Sequence, residues 1–174
     1  MSATCSDTRG LNTQASTQVT VENPPPPPPP QASKLAECDF ANMNKIKKPW
    51  RVDNECKGKL DDVAKNLQQN ADNKLIIVGN AEPTEKRKNL AAERAVNSKA
   101  YLTGGEAKLG IDPSRIETRT GSAGSMTAEY WIVPAGGTFT GEGTQPVDES
   151  KVKAVPDHPH AAPGKKKARP ATHQ

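Results

Sequence analysis

Residues 75–102 read LIIVGNAEPTEKRKNLAAERAVNSKAYL, and the change of period within this stretch decides the fold. Leu75, Ile76, Ile77 and Val78 form an unbroken apolar run closed by Gly79, the pattern of a short strand covered on both faces. Ala91, Ala95, Ser98 and Leu102 then recur at helical spacing among Glu, Arg and Lys, which predicts an amphipathic helix. The charged turn between them sits at the C-terminal end of a strand, where sheets of this kind usually carry their ligands.

Upstream, residues 34–40 read as a first strand, residues 42–48 as a polar loop, and Asp53 or Asn54 as the N-cap of a helix. Cys56, Leu60, Val63, Ala64 and Leu67 give that helix its apolar stripe, and residues 70–73 close it. Downstream, the glycines at 104, 105 and 110 and the Asp112-Pro113 step mark turns. Residues 115–120 and 129–133 alternate as two more strands. The order β-α-β-α-β-β predicts an α+β fold, two helices packed on one face of a small mixed sheet.

The flanks differ in composition. Hydrophobic residues are 33% and aromatics 3% of the chain, too few for all 174 residues to share one core, so the folded unit is expected at 34–136. Residues 15–22 alternate with β-branched side chains like a strand that cannot bury itself alone. Residues 1–23 are therefore expected to be the remnant of an upstream β-sandwich domain, with the natural start further upstream. Residues 24–30 are seven consecutive prolines, a stiff extended spacer, and 24–33 is taken as a linker. Residues 137–174, rich in Gly, Pro, Lys and Ala, are expected to form a flexible tail.

Charge offers little. The formal net charge is +4, but Lys165, Lys166, Lys167 and Arg169 alone carry that much, so the basic balance does not point to nucleic acid. No nucleic-acid partner is expected. No apolar run approaches the ~18 residues of a spanning helix, and the first residues lack the basic and apolar regions of a signal peptide.

Cys38 and Cys56 fall at the end of the first strand and in the first turn of the first helix, elements that can bring them together. A disulfide is expected there, with two buried thiols as the other reading. His158, His160 and His173 all lie in the tail, so residues 34–136 hold no imidazole for general-base chemistry, and neither an enzyme, a metal site nor a cofactor is expected. What remains is the turn, with Glu82, Glu85, Lys86, Arg87, Lys88, Glu93 and Arg94. A carboxylate and a guanidinium on one rim suit a zwitterion, each end receiving a charge-assisted hydrogen bond. The bland alternative is an ion pair tying turn to helix. A helix starting at Thr84 would carry Arg94 about 15 Å along its axis, so a shared ligand needs a start near Asn89.

The strand-Gly79-Asn80-Ala81-Glu82 run, then Leu90-Ala91-Ala92-Glu93-Arg94-Ala95, then Tyr101-Leu102 and Gly110-Ile111-Asp112-Pro113-Ser114-Arg115-Ile116, resembles the OmpA-like C-terminal domain, the peptidoglycan-binding module of bacterial envelopes. Leu60 to Leu67 is similar to that family's first helix. The resemblance implies a two-layer βαβαβ(β) fold without catalysis, binding the diaminopimelate of peptidoglycan stem peptides and anchoring an envelope protein to the cell wall. It implies Arg94 on the ligand carboxylate, Glu82 in place of the family's Asp on the ammonium, and Asn80 beside them. It also implies a periplasmic or outer-membrane location, reached through upstream regions. Gly79-Asn80-Ala81-Glu82 departs from the family's Gly-His-Thr-Asp, the turn is about three residues shorter, and the family's turn glycine and its Asn-Arg-Arg pattern are missing. The alternative function is therefore a structural or adhesive envelope module with the fold but no ligand pocket. If Arg94 is a ligand anchor, Arg94→Ala is expected to abolish wall binding and leave the fold intact.

Overall fold

The Asp53 carboxylate accepts a hydrogen bond from the Cys56 amide at 2.8 Å and caps helix α2, Asn54–Gln69, where the sequence placed a cap. The computed structural model describes residues 2–6, 9, 12–16, 18, 23–104 and 109–155. Buried on α2 are Cys56, Leu60, Val63, Ala64 and Leu67, the stripe read from helical spacing. The Arg115 guanidinium closes its C-terminal end, donating to the carbonyls of Leu67 and the C-cap Asn70 and to that of Asn73 in the following turn.

Around α2 the chain forms strand β3 (Ser33–Asp39), a short helix α1 (Ala41–Lys45), strand β4 (Lys74–Gly79), helix α3 (Leu90–Thr103) and strands β5 (Ile116–Thr120) and β6 (Thr127–Val133). β6 lies between β3 and β4 and is antiparallel to both, whereas β4 and β5 run parallel. The result is the expected α+β architecture on a mixed sheet. Helix α1 is a difference, since residues 42–48 read as a loop. Five residues give too little periodicity to register in the sequence.

Helices α2 and α3 bury the main core, with Phe40, Leu60, Leu67, Leu75, Ile77, Leu102, Ile116 and Tyr130. Ile76, Val78 and Val133 face the other way and are covered by Ala32, Trp131 and Phe139. Strand β4 is thus covered on both faces, the reason its apolar run is continuous. The Cys38–Cys56 disulfide ties the end of β3 to the first turn of α2, with the Cα atoms 5.3 Å apart.

Residues 137–155, which composition placed in the tail, pack on the domain. Strand β7 (Gln145–Pro146) pairs with β5 at the sheet edge, Arg119 opposite Pro146, and makes the sheet five-stranded. Glu149 accepts from Lys99 Nζ and Thr118 Oγ1, and the Val155 amide donates to Asn97 Oδ1. These anchors are polar and irregular, so composition alone hid them; residues 156–174 lie outside the described residues. The linker also docks, through Ala32 N–H to Thr138 O and Thr138 N–H to Pro30 O.

Upstream, β1 (Ser2–Ser6) and β2 (Asn12–Ser16) form an antiparallel hairpin. The strand expected at 15–22 therefore starts earlier and has two described residues in β2, while residues 17 and 19–22 lie outside the described residues.

Candidate functional site

Gly79 ends β4 hard against α3. A Cβ at this position would overlap the Ala91 carbonyl, so only glycine lets strand end and helix approach this closely. Helix α3 begins at Leu90, the later of the two starts considered, with Asn89 preceding it in the left-handed conformation (φ 67°) and making no side-chain cap. Arg94 consequently falls in the second turn and points inward.

Arg94 is 0% exposed. Its Nε donates to the Pro49 carbonyl at 2.9 Å and its Nη1 to the Asn80 carbonyl at 2.7 Å. The fork then grips the Glu85 carboxylate, Nη1 to Oε2 at 2.9 Å and Nη2 to Oε1 at 2.6 Å, and the guanidinium carbon lies 5.2 Å from the Phe40 ring centroid. This is the bidentate geometry an arginine offers to any carboxylate. Here the carboxylate belongs to the same chain, and its side chain is 3% exposed.

Glu85 is held from both ends. Its Oε2 accepts from the Glu82 amide at 2.9 Å, and its own amide donates to the Glu82 carbonyl at 3.1 Å, a reciprocal pair that closes a turn over residues 82–85. The Glu82 carboxylate goes elsewhere, accepting from Thr84 Oγ1 at 3.1 Å. Of the three ligand residues expected from the sequence, Arg94 and Asn80 meet, but through the Asn80 backbone. The Asn80 side chain is buried, with Nδ2 donating to Thr127 Oγ1 at 3.2 Å. Glu82 is the neighbour of the ion pair through its main chain alone. Sequence reasoning placed Glu85 among the turn's charges without giving it a role; it and the Pro49 carbonyl hold the guanidinium. Glu85 precedes Arg94 by nine positions, with irregular chain over 86–89 before α3 begins, so no helical or strand period links the two.

Beneath the pair lies a polar relay. Ser98 Oγ donates to the Arg94 carbonyl at 2.9 Å and lies 2.9 Å from the Tyr130 hydroxyl. Full burial pushes the Tyr130 phenol well above its ordinary pKa, against a smaller lowering by the Ser98 bond.

Outside the pair, a cleft of about 430 Å³ opens between residues 44–50 and 84–90, with Lys47, Trp50, Lys86, Arg87 and Met126 in its lining. The Arg87 guanidinium stacks on Trp50, 4.1 Å from the ring centroid, and is bridged to Glu93 by bonds of 2.8 and 2.9 Å. Neither Arg94 nor Glu82 lines this cleft. Among the described residues no group of His, Cys, Asp and Glu side chains could hold a metal ion, and no helix is long and apolar enough to cross a membrane. The chain matches no protein-family profile and no curated protein sequence.

Proposed function

We propose that residues 33–155 form a non-catalytic, structural module of a bacterial envelope protein, built on an OmpA-like plan in which the diaminopimelate pocket is filled from within. What supports the plan is the order β3, α2, β4, α3, β5, β6, with only the short α1 added between β3 and α2, together with the strand-Gly79-turn-helix arrangement that delivers Arg94. The observation that carries the filled pocket is the Glu85 carboxylate on the Arg94 fork at 2.6 and 2.9 Å, where a ligand carboxylate would bind. A free ligand must displace an intramolecular partner already at high effective concentration, and it gains no new bond to the guanidinium in return. Co-sedimentation with purified peptidoglycan tests this: the native chain stays in the supernatant. Pelleting that free diaminopimelate competes away would overturn it.

A second reading keeps peptidoglycan stem peptides as ligand, and one feature favours it. Glu85 sits on a turn of residues 81–89 that belongs to no helix or strand, so an incoming carboxylate could exchange with it without unfolding an element. In that case the native chain pellets, and Glu85→Gln pellets more strongly.

A further inference from the structure

The outer side of the same turn carries a second feature. Residues 45–51 and 82–88 together hold seven basic and two acidic side chains. One of those acids, Glu85, is consumed by Arg94. Lys47 and Lys86 line the same cleft, so the two basic segments flank one opening. Lys47, Lys48, Lys86 and Lys88 have no acidic partner among the described residues. The crest of the first segment is fixed: the amides of Lys47 and Lys48 donate at 3.0 Å to the carbonyls of Asn44 and Met43, and Lys47 is held in the left-handed conformation, φ 60°. Between Lys45 and Lys47 stands Ile46, 52% exposed, one of three large apolar side chains left in solvent among the described residues.

We propose that this rim docks the domain on an anionic lipid surface, with Ile46 inserted at the headgroup boundary, the lysines around it on phosphates, and the cleft taking one headgroup. Charge complementarity favours an anionic partner of some extent, because Lys47 and Lys86 line the cleft from its two sides and the exposed Lys45, Lys48 and Lys88 extend the basic segments beyond it. Ile46 then selects among such partners. An isoleucine at the crest of a basic turn gains nothing against a nucleic acid or a sulfated glycan, whereas at a bilayer its burial adds to the electrostatic attraction. Glu85 and Pro49 also line the cleft, but the Glu85 carboxylate and the Pro49 carbonyl are turned to Arg94, so the rim adjoins the buried pair without using it.

Vesicle co-sedimentation of the full chain tests the proposal, using phosphatidylglycerol–phosphatidylcholine mixtures against phosphatidylcholine alone. The background is a variant with Lys165, Lys166, Lys167 and Arg169 changed to Ala, to remove the tail's own attraction. Binding is expected to anionic vesicles only, weakened about 30-fold by Lys47→Ala with Lys86→Ala, at about 1 kcal/mol per lysine. Ile46→Ser should weaken vesicle binding about five- to tenfold while leaving heparin and oligonucleotide binding unchanged. Equal binding to neutral and anionic vesicles would overturn the proposal. So would vesicle binding indifferent to Ile46→Ser, which would reassign the rim to a soluble polyanion.

Discussion

The two sides of the 81–89 turn differ in what their charges do. On the inner side Arg94 and Glu85 are sealed from solvent and locked by four hydrogen bonds to the guanidinium. On the outer side Arg87 and Glu93 form a similarly short bridge, at 2.8 Å against 2.6 Å, with the Arg87 side chain 47% and that of Glu93 15% exposed. The distances are alike and the energetics are not. A buried pair that loses one member leaves an uncompensated charge in a dry interior, whereas an exposed pair gives its charges back to water. Residues that read as one charged cluster in the sequence thus divide into a structural lock and a solvated rim.

The largest test of that contrast is Arg94→Ala. It strands Glu85 and the Pro49 and Asn80 carbonyls, and should cost about 3–5 kcal/mol by denaturant unfolding. This revises the expectation that the substitution leaves the fold intact, so loss of wall binding in that variant would not identify a ligand anchor.

Next comes the disulfide. The 38–56 loop carries Phe40 and Pro49, which touch Arg94, and also Lys45 to Arg51 of the rim. Cys38→Ser with Cys56→Ser should lower stability by about 3 kcal/mol in the chain-entropy view, and should speed amide exchange throughout 40–51, on both sides of the turn at once. Protection unchanged in that loop would separate the rim from the lock.

How much of this was legible in the sequence follows from the same physics. β4, α2 and the body of α3 were readable because burial imposes a period on them, as the Cys56 to Leu67 stripe shows, whereas the start of α3 stayed open between Thr84 and Asn89. Gly79 was readable as a strand end, though not as the contact that seats α3 against it. The role of Glu85 was not readable, because a turn without periodicity does not reveal which of its carboxylates folds inward; Glu82 and Glu85 are chemically equivalent until the backbone chooses. Residues 137–155 escaped for a related reason: the edge strand β7 and the Glu149 contacts use hydrogen bonds and little apolar surface.

A third test uses pH. Burial raises the Tyr130 phenol above its ordinary 10.0, so the folded state favours the neutral form. That contribution is complete below pH 10 and is lost as pH rises beyond it, because the unfolded chain ionises first. Thermal melts should therefore fall more steeply above pH 10 in the native chain than in Tyr130→Phe. The phenylalanine variant should lose about 1 kcal/mol at neutral pH with the Ser98 bond. Identical alkaline limbs would show that the relay beneath Arg94 is not dry.

The smallest effect belongs to the rim. Arg87→Ala removes the stack on Trp50 and the Glu93 bridge, yet should change stability by less than about 1 kcal/mol. A loss as large as that of Arg94→Ala would erase the distinction between the two sides.

The most direct measurement is the NMR signal of the Arg94 guanidinium protons during titration with a soluble diaminopimelate-containing muropeptide. With Glu85 seated on the fork, those protons should exchange slowly with water, and their shifts should not move as muropeptide is added. Saturable shifts of the Arg94 Nε and Nη protons, with release of Glu85, would contradict a pocket filled from within.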